Sequence, residues 1–136
     1  MRFFYKFEKD YLPKQQPLDA SGARSLNMQK HYLALDLKND AQLVAEYEKY
    51  HEAVWPEVLE QIKASGILSC EIFRVHNRLV MVLETIEDFS FEQKAKDDAL
   101  NSKVQEWEAL MWQYQQAIPG SRVGEKWQVM KKVFGL

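Results

Sequence analysis

Three side chains suited to proton transfer and to binding a flat ligand stand four residues apart: Tyr47, His51 and Trp55. Residues at this spacing share one face of a helix, which would present a phenol, an imidazole and an indole together. Because an imidazole has an ordinary pKa of about 6.5, His51 can act as a general acid or base near neutral pH. The aromatic rings suit the C–H faces of a sugar, so Tyr47 and Trp55 are candidate substrate contacts. The alternative is that this face packs on the protein's own sheet.

Other chemically capable side chains are less concentrated along the chain. Trp107 either walls the same site or fills the core, and Glu108 beside it should point about 100° away and be solvated. Cys70 falls in a predicted strand, where it is expected to be a small buried side chain. Glu71 and Glu84 also fall in strands, and either could line a pocket.

Composition limits the class of protein. A length of 136 residues favours one domain, or one domain with an appendage, and a net charge of −2 argues against nucleic-acid or membrane-surface binding. His31, His51 and His76 show no metal-ligand spacing with one another or with the single cysteine, so no metal is expected. A single cysteine also excludes an internal disulfide, which is compatible with a cytoplasmic protein.

The first 27 residues differ from the rest of the chain. They carry two prolines, a glycine and several small polar residues without a sustained period, which is typical of a linker or extension. Met28 directly precedes the first strand-like run, so the domain is predicted to span 28–136 and the extension to reflect an early start. The alternative is an ordered arm that carries the aromatic residues of 3–7 onto a partner surface.

Periodicity predicts an α+β fold. Strand-like runs occur at 31–38, 66–75, 78–85 and 125–134. Helical periods occur at 40–53, at 57–65 after a restart at Pro56, and at 90–116. The order β-α-β-β-α-β is that of the ferredoxin-like fold, a four-stranded antiparallel sheet with two helices on one face. The other face needs a cover, and a second copy of the chain would supply it.

A motif then connects the pattern to a known family. The run Y-x-x-x-H-x-x-x-W-P-E at 47–57, followed by Gly66 and Trp107, resembles the L-rhamnose mutarotase family over residues 29–136. The closing segments EWEALM and EKWQVMKKVFGL resemble a branch associated with L-fucose metabolism. The resemblance implies a dimeric α/β-barrel isomerase without a cofactor, which interconverts the anomers of a 6-deoxy-L-hexose bound between sheet and helices.

The same resemblance implies roles for individual residues. His51 would be the catalytic proton donor, Tyr47 a substrate contact, and Trp107 the first of two adjacent tryptophans that wall the sugar. Two substrate-binding positions depart from the family, since Glu108 replaces the second tryptophan and Cys70 replaces a strand tyrosine. Hydrogen-bond partners discriminate between sugars that differ in hydroxyl orientation, so these changes predict L-fucose slightly ahead of L-rhamnose. They also predict that Glu108→Gln alters the preference more than the stability.

Two rival functions fit the same fold. A small dimeric ferredoxin-like monooxygenase also uses His, Tyr and Trp in such a pocket, and a spectral change of added quinol or haem would favour it. A sugar-binding module without turnover would fail an anomer-exchange assay. Mutarotation itself needs one acid, one base and no cofactor. The base that would act with His51 stays open among Tyr47, a pocket carboxylate such as Glu71, and a bound water.

Overall fold

A computed structural model describes residues 27–136, so all but the last residue of the predicted N-terminal extension lies outside the described residues. The described chain forms four helices and five strands: β1 Gln29–Leu37, α1 Ala41–Tyr50, α2 Pro56–Ala64, β2 Ile67–Val75, β3 Arg78–Thr85, α3 Phe91–Leu100, α4 Ser102–Trp112, β4 Gln115–Gln116 and β5 Gln128–Val129. Within 27–136, none of the helices has the length and apolar character needed to cross a bilayer.

The strands form one antiparallel sheet in the order β2-β3-β1-β4, with β5 also paired to β1. The predicted α+β class is confirmed, and β2 and β3 match their predicted bounds to within one residue. The last strand is much shorter than the predicted 125–134, because β4 and β5 pair with different parts of β1 along the same edge. Each of these strands contributes only two residues.

The two faces of the sheet have different surroundings. The helix-facing side carries the buried core, including Leu33, Leu35, Leu79, Leu83 and Trp127. On the opposite side, Tyr32, Phe73 and Val75 are exposed, together with polar residues of the same strands. One face of the sheet is therefore packed against helices and the other is left open by the described part of the chain.

Both long helical segments are interrupted. The first begins as predicted at Asp40, whose carboxylate accepts a hydrogen bond from the Leu43 amide (3.0 Å), but it ends at Tyr50 rather than at residue 53. The second restarts at Pro56, as predicted. The predicted single helix 90–116 is two helices, because Asn101 leaves helical backbone angles (φ −100°, ψ 107°) and its side chain caps α4 at the Val104 amide.

Candidate active site

A cavity of about 840 Å³ lies between the helix-facing side of the sheet and helices α1, α2, α3 and α4. Five of the six site residues singled out in the sequence line it: Tyr47, His51, Cys70, Trp107 and Glu108. The sixth, Trp55, packs on Trp107 with 5.2 Å between ring centroids, so it supports the wall of the cavity. The tertiary structure thus brings together side chains from α1, α4, β2 and the turn before α2.

His51 stands immediately after α1, at its C-cap, rather than inside a continuous helix. Its Nδ1 lies 2.8 Å from the carbonyl oxygen of Tyr47. Because a carbonyl oxygen only accepts, Nδ1 carries a proton and Nε2 remains available for a ligand. Burial lowers the pKa of His51, while the hydrogen bond to the Tyr47 carbonyl acts in the opposite direction. The imidazole is therefore oriented, with a single nitrogen left for chemistry.

Aromatic rings hold this imidazole on two sides. The ring of Tyr47 lies 4.3 Å from that of His51, and the ring of Trp107 meets His51 edge-on at 5.6 Å between centroids. Trp107 also meets Tyr50 edge-on at 6.3 Å. Trp107 thus contacts Tyr50 and His51 at the end of α1 and also Trp55. It is buried and lines the cavity, so it is both a core residue and part of the cavity wall.

Tyr47 is an unsuitable general base. Its side chain is 3% exposed, and burial raises the pKa of its phenol far above neutrality, which a hydrogen bond with Gln115 only partly offsets. The hydroxyl therefore stays protonated and serves as a hydrogen-bonding group. Of the bases left open by the sequence, Tyr47 is disfavoured.

Glu108 was predicted to be solvated, and this prediction is wrong, because only 1% of its surface is exposed. The helix α4 is covered on two sides, so neighbouring positions Trp107 and Glu108 are both buried. Gln105 Nε2 donates to Glu108 Oε2 (3.1 Å), while Oε1 has no hydrogen-bond partner. Burial, followed by the nearby carboxylate of Asp98, raises the pKa of Glu108 to about 7 despite opposing effects of Lys126 and Lys94.

A buried ion pair beside Glu108 was not anticipated from the sequence. Lys94 Nζ lies 2.8 Å from Asp98 Oδ2 and 3.1 Å from Oδ1, with both side chains less than a tenth exposed. The available signal was their i, i+4 spacing with opposite charges on a predicted helix, which more often marks a solvated face. Lys126 completes the group, with its Nζ 4.9 Å from the centre of the Trp112 ring. Lys94, Asp98 and Glu108 therefore place charged groups in the cavity wall formed by α3 and α4.

Comparison with known proteins assigns the chain to a family. The family model described as L-rhamnose mutarotase matches residues 30–136. The chain belongs to the L-rhamnose mutarotase family. It is an isomerase that interconverts the anomers of a sugar, as the resemblance in the sequence implied.

Individual relatives cover nearly the same part of this mutarotase. An L-fucose mutarotase from Xanthomonas campestris pv. campestris is 45% identical over 113 residues, which are 82% of this chain and 90% of the relative. A UPF0734 protein from Dictyostelium discoideum is 38% identical over 116 residues, with coverage of 82% and 93%.

Solved structures support the ferredoxin-like fold of the mutarotase. An L-rhamnose mutarotase from Formosa agariphila superposes with a TM-score of 0.58 at 22% identity and covers 79% of this chain and 98% of its own. Tetracenomycin F2 cyclase from Streptomyces glaucescens gives 0.52 at 17% identity, with coverage of 79% and 95%. At these identities the likeness concerns the fold alone.

The strand residues of this mutarotase divide between the two faces of the sheet. Cys70 lies opposite Leu83, on the helix-facing side, and lines the cavity, but it is exposed rather than buried as expected because β2 is an edge strand. Glu71 lies opposite Val82 and therefore points to the other face, as does Glu84, whose carboxylate lies 3.7 Å from Lys30. Neither glutamate lines the cavity, so the pocket carboxylate is not Glu71.

In residues 27–136, no group of three or more His, Cys, Asp or Glu side chains is arranged to hold a metal ion. Groups capable of proton transfer do line the cavity, namely the imidazole of His51 and the carboxyl groups of Glu48, Glu52, Asp98 and Glu108.

Proposed function

We propose that this mutarotase interconverts the α and β anomers of a 6-deoxy-L-hexose, with L-fucose preferred slightly over L-rhamnose. The observation that carries the choice of sugar is the 45% identity over 113 residues to a relative named L-fucose mutarotase. The two sugars differ in the orientation of ring hydroxyls, so hydrogen-bond partners in the cavity decide between them. Glu108 and Cys70, at two wall positions, are the residues through which this chain would express its preference.

The composition of the cavity supports a deoxy sugar as the ligand. Its volume of about 840 Å³ accommodates a monosaccharide with room for water. Trp107 and Tyr47 supply flat surfaces for the C–H faces and the apolar C6 methyl group. The polar groups of Glu108, Lys94 and Asp98 also line the cavity, where they can bind hydroxyls.

In the proposed reaction, His51 Nε2 exchanges a proton with the ring oxygen O5. When the imidazolium donates this proton, the C1–O5 bond breaks as O1 loses its own proton to a base. The open aldehyde then rotates about C1–C2, and reclosure on the other face returns the proton from O5 to Nε2. The hydrogen bond from Nδ1 to the Tyr47 carbonyl keeps Nε2 directed away from the helix terminus during this cycle.

Proton NMR saturation transfer between the two anomers tests the proposed substrate. We expect the protein to accelerate exchange for L-fucose and L-rhamnose, with the larger catalytic rate for L-fucose, and to leave D-glucose at its uncatalysed rate. The same samples without protein supply the uncatalysed rates. Absence of acceleration with either deoxy sugar would contradict the proposal, whereas a larger rate for L-rhamnose would contradict only the stated preference.

The functional unit in this proposal is a homodimer of the domain 28–136. The open face of the sheet carries exposed Tyr32, Phe73 and Val75, and the chain after β5 adds an exposed apolar segment at 133–136. A second copy that covers this face would form the predicted dimeric α/β barrel, with the predicted strand region 125–134 near the contact.

We place the enzyme in the cytoplasm, because its single cysteine, Cys70, requires no oxidising compartment.

Light scattering at micromolar concentration is expected to give the mass of a dimer. Tyr32→Glu should shift the protein to a monomer, since it places a charge in the centre of the open face. Leu100→Glu is the control, because Leu100 is exposed at the end of α3 and away from the sheet face. A chain without residues 1–27 should retain both dimer and activity. A wild-type monomer, or a Tyr32→Glu dimer, would contradict this assembly.

A further inference from the structure

We propose that Glu108 Oε1 is the second proton-transfer group of the reaction and exchanges the O1 proton of the sugar while His51 serves O5. This inference rests on the proposed mutarotase function and deepens it. It assigns the partner base to a residue that stands where the family resemblance places a wall tryptophan, so it describes this chain's own chemistry.

The geometry supplies the first argument. Glu108 and His51 line the same cavity, and Trp107, the residue before Glu108, forms the wall beside the imidazole with 5.6 Å between ring centroids. Gln105 holds Oε2 at 3.1 Å, which fixes the carboxyl group and leaves Oε1 without a hydrogen-bond partner. A buried acceptor without a partner destabilises the folded protein, and a sugar hydroxyl that displaces the cavity wall enough to reach Oε1 would remove this cost.

The surroundings supply the second argument. On α3, Asp98 opposes ionisation of Glu108 and Lys94 favours it, while Lys126, in the segment before β5, also favours ionisation. Burial is the largest influence and brings the pKa of Glu108 to about 7, so the carboxyl group both accepts and donates a proton near neutral pH. Asp98, whose two carboxylate oxygens are both bound by Lys94, is less available for this role.

The proton transfers balance over one turnover. In ring opening, the O1 proton passes to Glu108 Oε1, the O1 electron pair forms the C1=O1 bond, and the C1–O5 pair remains on O5. O5 takes the proton of the His51 imidazolium. After rotation about C1–C2, O5 attacks the other face of C1 and returns its proton to His51, while O1 takes the proton held by Glu108. Both residues end as they began.

In the reactive state His51 is protonated and serves as the acid, and Glu108 is ionised and serves as the base. Below the lower of the two pKa values both groups are protonated and no base remains; above the higher one both are deprotonated and no acid remains. The rate of anomer exchange should therefore pass through a maximum between these values and fall on either side.

Glu108→Gln tests this role, because it preserves the shape of the side chain and removes its acid–base chemistry. For L-fucose we expect a loss of roughly 10²-fold at the wild-type optimum. Once the uncatalysed rate is subtracted, the remaining rate should no longer fall on the acidic side, because only His51 then titrates. Glu106→Gln is the matched control, since Glu106 is an exposed residue of the same helix, and it should retain the wild-type rate and profile.

The outcomes separate this inference from the proposed function. A wild-type protein that does not accelerate exchange refutes the mutarotase assignment itself. An active wild type together with a folded Glu108→Gln variant that keeps the rate and the acidic fall refutes the role of Glu108. If Glu108→Gln does not fold, Glu108→Ala with added formate decides, because a small carboxylate in the vacated space should restore exchange in proportion to its concentration. Failure of formate to do so would refute the role.

Discussion

His51→Ala is expected to lower the rate of anomer exchange by roughly 10²-fold or more while the protein remains folded. The reason is that Nε2 is the free nitrogen of an imidazole oriented by its bond to the Tyr47 carbonyl, and alanine offers no replacement proton. The substitution removes the ring contacts with Tyr47 and Trp107 and the Nδ1 bond to the Tyr47 carbonyl, but it keeps the backbone N–H of residue 51, which bonds the Glu48 carbonyl oxygen at 3.1 Å. NMR saturation transfer measures the rate, and circular dichroism measures the fold.

His76→Asn is the matched control for this substitution. His76 occupies the exposed turn between β2 and β3 with a positive φ of 50°, a conformation that asparagine tolerates. The control should keep the wild-type exchange rate. A folded His51→Ala protein with a near-wild-type rate would refute the catalytic assignment. A His51→Ala protein that unfolds would instead support the alternative in which this helical face only packs on the sheet.

Lys94→Met is expected to lower the free energy of unfolding by about 3 kcal/mol or more. The substitution keeps an apolar stem of similar length but leaves the buried carboxylate of Asp98 without its cation, near the carboxyl group of Glu108. Breaking one partner of a buried pair is more damaging than losing a surface pair, because the remaining charge stays desolvated. Urea denaturation followed by circular dichroism measures the change.

Lys96→Met gives the comparison that isolates burial. Lys96 lies on the same helix and pairs with Glu92 at 3.4 Å, also at i, i+4 spacing, but both side chains are largely exposed. Its replacement should change the free energy of unfolding by less than about 1 kcal/mol. Equal effects of the two substitutions would show that the Lys94–Asp98 pair stabilises the fold no more than a surface pair does.

Local signals predicted the elements that depend on neighbouring residues. The hairpin β2–β3 was placed to within one residue because two β-rich runs flank the tight turn at 76–77. Asp40 and Pro56 located the starts of α1 and α2, since capping and the missing amide act within one turn. The family resemblance, which is not a local signal, implied that His51 and Trp107 belong to one site, and the structure places their ring centroids 5.6 Å apart.

Local signals failed where a position depends on what covers it. The break at Asn101 was missed, because its competing role as a cap outweighs a helical period that continues on both sides. The length of the last strand was missed because pairing requires a free stretch of β1, which β4 and β5 share. Cys70 was expected to be buried, but it is exposed because it lies on β2, an edge strand. Which strand forms the edge depends on the pairing of the whole sheet and cannot be read from neighbouring residues.

The sequence by itself predicted the α+β class from periodicity, the family from a motif resemblance, and the position of His51 near the end of the helical segment that precedes Pro56. Only the tertiary structure decided which carboxylates enter the cavity. Glu71 was excluded by strand register, whereas Glu108 was enclosed because α3 and the segment before β5 cover a second side of α4. Helix geometry predicts that the side chain of Glu108 points about 100° away from that of Trp107. It does not predict whether that side chain is buried, because the residues that cover it are distant in the sequence.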